Sequence, residues 1–113
     1  MKKLITLALI ITGISSTKLQ AQVVYSSQYA SQADLKVYVV AYESQADLKV
    51  YKVSSSSQAR GNDGLWHFAQ YESQARKKIF FVDYESQADL RIYFVRYESQ
   101  AGWRNRAKKQ LLY

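Results

Sequence analysis

The sequence predicts an all-β protein: one small domain in which a strand and its connection are repeated six times. The tripeptide Ser-Gln-Ala occurs six times, at intervals of 13 residues except for one interval of 16. Most copies are followed by a run rich in Val, Ile, Tyr and Phe, which is typical of strands. A unit of this length is too short for a helix, a strand and two connections. The copies begin at Ser31, Ser44, Ser57, Ser73, Ser86 and Ser99.

The first 21 residues have the layout of a secretory signal peptide. Lys2 and Lys3 precede an apolar stretch, residues 4–14, and a short polar segment then ends at Ala21. The apolar stretch is too short to cross a bilayer, which needs about 20 residues. We therefore expect cleavage after Ala21, a folded domain over residues 22–113, a periplasmic or secreted location and no transmembrane segment in the mature chain. A retained N-terminal helix is the alternative.

Composition and charge narrow the class further. The chain has no Cys, so an exported domain of this size must be stabilised by packing or topology rather than by disulfides. Three of its 16 Lys and Arg residues precede Gln22, and four lie in the tail. Residues 22–102 carry nine basic and nine acidic residues, so the basic character is C-terminal. This argues against a nucleic-acid surface along the repeats.

The strand of the first unit is the run 35–40. Equivalent runs begin at Leu48, Lys77 and Leu90. Alternation along a strand separates two faces. The centres of one face are always β-branched: Val37, Val50, Ile79 and Ile92. The second half of each strand is apolar on both faces, as with Val39 and Val40 in the first unit, so we expect other parts of the chain to cover both sides. The Tyr-Glu-Ser-Gln segments are then the connections.

Two units depart from the pattern. In the third, Gly61, Asn62 and Asp63 are extra and predict a tight turn, after which residues 65–68 take the strand position. In the sixth, Trp103, Ala107 and Leu111 have the spacing of one helical face, which favours a short amphipathic C-terminal helix. An extended closing segment is the alternative.

The repeated string Tyr-Glu-Ser-Gln-Ala-Asp-Leu-(Lys/Arg)-(Val/Ile)-Tyr, closed by Ser-Gln-Ala-Gly-Trp-Arg-Asn-Arg-Ala-Lys-Lys, resembles the bacterial septoil-knot family. The resemblance extends over residues 25–113. It implies a compact β-rich domain in which the six units wind into a deep seven-crossing torus knot. The family has no established activity, so the resemblance assigns no functional residue. We expect a monomer.

Several polar residues invite a chemical interpretation. Asp34, Asp47 and Asp89 recur in register, and a ladder of carboxylates could bind metal, but we expect them to accept hydrogen bonds from backbone groups freed by the connections. His67 is the only His, and we expect it to be packed rather than catalytic. Acidic residues recur in the connections and could be paired for glycoside chemistry, but we interpret them as solvated: Glu43, Glu72, Glu85 and Glu98. No phosphate-binding Gly motif is present, so we expect neither nucleotide nor any other cofactor.

The tail is the best candidate site outside the repeat. Its aromatic and basic side chains could bind an anionic surface, such as lipid, lipopolysaccharide or another envelope polymer, or nucleic acid. They are Trp103, Arg104, Arg106, Lys108 and Lys109. The favoured alternative is that the tail closes one end of the fold, with Trp103 buried. The sequence therefore predicts a very stable, exported, non-enzymatic module with a structural or interaction role and an unknown partner.

Overall fold

The computed structural model describes residues 22–113, so the predicted signal peptide lies outside the described residues. The strands are β1 (Val23–Ser26), β2 (Leu35–Val39), β3 (Leu48–Lys52), β4 (Leu65–Phe68), β5 (Lys77–Phe81), β6 (Leu90–Phe94) and β7 (Gly102–Trp103). The 3₁₀ helices are Ala30–Gln32, Glu43–Gln45, Ser56–Gln58, Glu72–Gln74, Glu85–Gln87, Glu98–Gln100 and Arg106–Leu112. Within residues 22–113, no helix has the length and apolar character needed to cross a membrane.

Six of the strands form a closed parallel barrel. Their order around the barrel is β4-β1-β5-β2-β6-β3, and β3 also pairs with β4, which closes the sheet. The short strand β7 adds to β3 in the antiparallel direction. The fold is therefore mainly β, as predicted, and most consecutive strands are separated by one strand that comes from another part of the chain.

The register explains how a short connection can join two parallel strands. Val39 ends β2 and Leu48 begins β3, and both pair with Ile92 of the intervening strand β6. The chain therefore resumes at the level where it left off, two strand widths away, or about 10 Å. The same relation holds at Ile79, which pairs with both Ser26 and Leu35. Parallel strands usually need a longer crossover because the chain must return along the whole strand.

The interior of the barrel contains the β-branched residues that the alternation along the strands placed at the centre of one face. Their side chains have no exposed surface: Val37, Val50, Ile79 and Ile92. Leu112 from the C-terminal helix belongs to the same cluster. Its other members are Val24, Leu35, Leu48, Trp66 and Leu90. Burying one such side chain contributes about 1.5–3 kcal/mol, so this cluster is the main source of stability.

The prediction that both faces of the strands are covered is only partly right. Val40 is buried, but Val39, on the inward face at the end of β2, is 41% exposed. The aromatic residues of the outer face are half-buried, and so are the counterparts of Val40 in the later units, Val53, Val82 and Val95. The connections cover the outside of the barrel incompletely. At the end to which the strands run, the partly buried rings of Phe68, Phe81 and Phe94 pack on one another and on the core. At that end Lys52 Nζ lies 4.6 Å from the centre of the Phe94 ring.

The connections are confirmed, and each contains a 3₁₀ turn. In the second unit the amide of Gln45 donates to the carbonyl oxygen of Tyr42 at 3.0 Å, and the same bond recurs in the other units. Four of the turns pack on a strand that the chain skips, whereas Ser56–Gln58 packs on β4, the strand that follows it. The turn Glu85–Gln87 lies against β2, and Glu98–Gln100 lies against β3. The turns therefore follow the strand order around the outside of the barrel.

The predicted turn and strand of the third unit are confirmed. Gly61 has a φ of +69°, and β4 spans Leu65–Phe68. Two strands were not predicted. Strand β1 lies before the first Ser-Gln-Ala copy and therefore outside the repeat, even though Val23-Val24-Tyr25 has the composition of a strand. Strand β7 consists of only two residues, which is too short for a pattern to reveal.

The tail contains the predicted short helix, but the predicted helical face is wrong. Trp103 belongs to β7, and the helix is a 3₁₀ helix over Arg106–Leu112. Its buried residue is Leu112, whereas Ala107 is exposed. The tail first pairs with β3 in extended form and then forms the helix. The structure therefore combines the two predicted alternatives, an extended closing segment and a short helix.

Candidate functional site

The recurring Asp residues bind the backbone of a neighbouring strand. Asp34 accepts a hydrogen bond from the amide of Lys78 at 2.9 Å, and its own amide donates to the carbonyl oxygen of Lys78 at 2.7 Å. Asp89 forms the same pair of bonds with Lys36. Each of these carboxylates thus accepts a hydrogen bond from an amide of the adjacent strand. The expectation that the recurring Asp residues bind backbone groups is confirmed.

Asp47 combines this role with docking of the tail. Its side chain is 1% exposed and accepts from the amide of Arg91 at 2.9 Å. The Arg91 guanidinium lies 3.2 Å from Oδ1, and Lys108 Nζ lies 3.4 Å from Oδ2. Asn105 Nδ2 donates to Oδ1 at 3.2 Å. The carbonyl oxygen of Asp47 also accepts from the amides of Arg104 and Asn105.

The charges around Asp47 keep it ionised. Burial alone would raise the pKa of Asp47, but the hydrogen bonds from Arg91 and Asn105 and the positive charge of Lys108 together lower it below its ordinary value. The hydrogen bond to Asp47 and a further ion pair to Glu85 raise the pKa of Arg91. Asp47 and Arg91 therefore form a structural ion pair, which Asn105 and Lys108 of the tail support.

The tail and the insertion of the third unit close one end of the barrel together. Trp103 Nε1 donates to the carbonyl oxygen of Asn62 at 2.7 Å. The buried side chain of Asn62 donates in turn to the carbonyl oxygen of Lys109 at 2.9 Å. Gln22 donates to the carbonyl oxygen of Leu112 at 3.1 Å. The start of the domain, its insertion and its end therefore meet in one closure.

The five residues predicted to bind an anionic surface fall into different environments. Trp103 is half-buried and hydrogen-bonded in the closure, and Lys108 is paired with Asp47. Lys109 pairs with Asp63 at 3.4 Å. Arg104 and Arg106 are exposed. The structure thus divides the predicted site into closure residues and two outward-facing guanidinium groups.

The other candidates have structural contacts. His67 lies half-buried in β4, and its Nδ1 is 3.2 Å from the carbonyl oxygen of Val53. The Glu residues of the connections are exposed. Three of them pair with a basic residue of the same unit, six positions later: Glu43 with Lys49, Glu72 with Lys78 and Glu85 with Arg91. Over residues 22–113, no three His, Cys, Asp or Glu side chains cluster in a way that could hold a metal ion.

Sequence reasoning missed Gln22, Asn62 and Asn105 as closure residues. Gln22 and Asn62 are single buried polar residues, so no repetition marks them. Their positions could have identified two of them as candidates. Asn62 lies in the insertion and Asn105 in the divergent last unit, which are the two places where the sequence departs from the repeat.

The strand order and the closure together define a class: a closed parallel barrel of copied strand–turn units, sealed by its own C-terminus. A family profile described as the 7(1) septoil knot domain matches residues 21–104. The chain therefore belongs to the septoil knot domain family, as its repeat and divergent closing unit suggested. Comparison with curated proteins gives no match, and comparison with solved structures gives none either.

Proposed function

We propose that this protein is an exported, non-enzymatic module whose chain follows the deep seven-crossing knot of its family. Its role is structural: a rigid, degradation-resistant body that presents its outer surface to partners. The strongest support comes from the two segments that depart from the repeat, the insertion of the third unit and the tail. Their residues Asn62 and Trp103 form hydrogen bonds that close the barrel.

The winding of the chain supports the knotted path. Most successive strands are separated by a strand from elsewhere in the chain, and the turn between them packs on such a strand. Ends that pass repeatedly across other strands cannot separate without being threaded back. Unfolding is then slow, which gives durability to a domain without disulfides.

Protease resistance tests this role. The full chain would be expressed with its leader, and the N-terminus of the exported product would be read by mass spectrometry, with Gln22 expected first. The folded product would then be incubated with trypsin in native buffer. We expect it to stay intact for hours, whereas the same protein held in strong denaturant should be cut once diluted into protease. Rapid digestion of the native protein would overturn the proposal, and a retained leader would overturn the exported location.

A second candidate is binding of an anionic envelope polymer or lipid through the tail. The exposure of Arg104 and Arg106 favours it, although Lys108 and Lys109 are engaged in ion pairs. The test is sedimentation with phosphatidylglycerol vesicles. The double variant Arg104→Gln/Arg106→Gln should lose binding, while Arg60→Gln/Arg96→Gln, which removes the same charge from two other exposed sites, should retain it. Equal binding by both variants would remove this candidate.

A further inference from the structure

A row of exposed tyrosines encircles the barrel. Each lies directly before a 3₁₀ turn, and each is 60–68% exposed. They are Tyr29, Tyr42, Tyr71, Tyr84 and Tyr97. One large aromatic position is exposed in five of the six units, and this repeated exposed surface calls for an explanation.

The five tyrosines are presented in the same way. Their backbone φ angles lie between −125° and −129°, and their ψ angles between 134° and 144°. The turns follow the strand order around the barrel, which places the tyrosines in the sequence Tyr71, Tyr29, Tyr84, Tyr42, Tyr97. We call these five residues the tyrosine belt. The remaining position, between Tyr97 and Tyr71, is Ser55 in the third unit.

Grooves lie between neighbouring turns at two places along the belt. One is lined by Ala30 and Gln87 of two turns and by Phe80 of β5. Another lies between Glu43 and Gln100, beside Tyr93 of β6. Both grooves therefore combine an aromatic side chain of the sheet with a carboxamide and charged side chains, which are Lys36 in the first and Glu43 and Arg96 in the second. Tyr97 of the belt lines the second groove.

The surface around the tyrosine belt has little net charge. Three of the four Glu residues in the turns pair with a basic residue of their own unit, as Glu43 does with Lys49 and Glu72 with Lys78. A neutral surface with exposed aromatic rings does not fit a nucleic acid or an anionic polymer, whose binding depends on positive charge. Nor does it fit burial in a bilayer, because Glu, Ser and Gln are exposed in the turns between the tyrosines.

We infer that the tyrosine belt binds an uncharged polysaccharide. The apolar face of a pyranose ring can lie on a Tyr ring, and the Ser and Gln side chains of the following turn can exchange hydrogen bonds with sugar hydroxyls. Equivalent sites in a row suit a polymer of equivalent units, since each further site is engaged within the same complex. This inference rests on the proposed role as a body that presents its outer surface to partners.

The chain itself supplies the matched substitution. Ser55 occupies the tyrosine position in the third unit, and the 3₁₀ turn Ser56–Gln58 still forms there. Tyr→Ser is therefore compatible with the turn. The loss variant is Tyr29→Ser/Tyr84→Ser/Tyr42→Ser, which removes three adjacent sites. The gain variant is Ser55→Tyr, which completes the belt.

Retention on insoluble cellulose and chitin, and affinity electrophoresis with dextran, would be measured at high salt. We expect wild type to bind at least one of these polymers, the triple variant to lose at least tenfold in affinity, Ser55→Tyr to gain, and Arg104→Gln/Arg106→Gln to behave as wild type. Circular dichroism would verify that each variant is folded.

Absence of wild-type binding to all three polymers would overturn the inference, and so would equal binding by the triple variant. Tyrosine-dependent binding to phosphatidylcholine vesicles without polymer binding would replace the polysaccharide with a membrane. A protein that resists trypsin but binds no polymer would contradict this inference alone and leave the proposed structural role standing.

Discussion

Leu48, the first residue of β3, lies level with Val39, the last residue of β2, because both pair with Ile92 of the strand between them. The connection therefore advances around the barrel without returning along it. A unit of 13 residues is long enough for this step, and repetition of the step winds the chain. The same geometry places a turn outside each skipped strand and so creates the repeated outer surface.

Removal of the charge at Asp47 should weaken the fold more than removal of the equivalent charge at Asp34. Asp47→Asn keeps the shape but leaves Arg91 and Lys108 without their buried partner. We expect a loss of about 2–3 kcal/mol in the free energy of unfolding, or the matching increase in unfolding rate. Asp34→Asn, whose side chain is exposed, should cost about 1 kcal/mol or less. Equal costs, measured by denaturant unfolding, would show that the tail docks without Asp47.

Lowering the pH should remove the stability that the ionised Asp47 side chain contributes. The pKa of Asp47 is lowered in the folded protein, so the folded state binds this proton less readily than the unfolded chain. The contribution is complete above the unfolded pKa of about 4 and is lost as the pH falls through the lower folded value. The stability difference between wild type and Asp47→Asn should therefore shrink below about pH 4. A difference that stays constant from pH 7 to pH 2 would contradict the ionised state assigned to Asp47.

The sequence predicted the strands of the close copies because composition and alternation mark them directly. It could not give their order, since the partners of β2 lie more than 40 residues away and identical units offer several equivalent pairings. The exposure of Val39 depends on which side chains pack at the end of β2, and no local pattern encodes that. The role of Asp34 was predictable because it repeats, whereas the closure contacts of Asn62 occur once and depend on the complete fold.

Gly64 should tolerate no side chain. It has a φ of +94°, and a Cβ there would overlap the carbonyl oxygen of Lys49. Gly64→Ala should cost more than about 2 kcal/mol, because backbone strain and a steric clash add. Gly61→Ala is the matched control: its φ is also positive, but the nearest atom to its Cβ is 3.8 Å away. Thermal unfolding should rank the two variants in that order, and the reverse order would contradict the close approach of Gly64 to β3.

Leu112 should anchor the tail in the core. Its side chain is 2% exposed, whereas that of the adjacent Tyr113 is 60% exposed. Leu112→Ala should cost about 2–5 kcal/mol through the cavity that it leaves, and Tyr113→Ala should be nearly neutral. Hydrogen exchange at the amide of Arg104, which donates to Asp47, should rise in the first variant only. Similar exchange in both variants would mean that the tail is held by its polar contacts alone.

The central claim is that the wound chain is knotted, and ring closure tests it most directly. The protein has no Cys, so cysteines added through flexible linkers before Gln22 and after Tyr113 would form a single disulfide in the folded state. The ring would then be denatured in guanidinium and compared by size exclusion with a disulfide ring of equal length and composition, whose shuffled sequence does not fold. A knotted ring cannot expand fully, so we predict that it elutes later than the shuffled ring. Co-elution of the two denatured rings would contradict the knot.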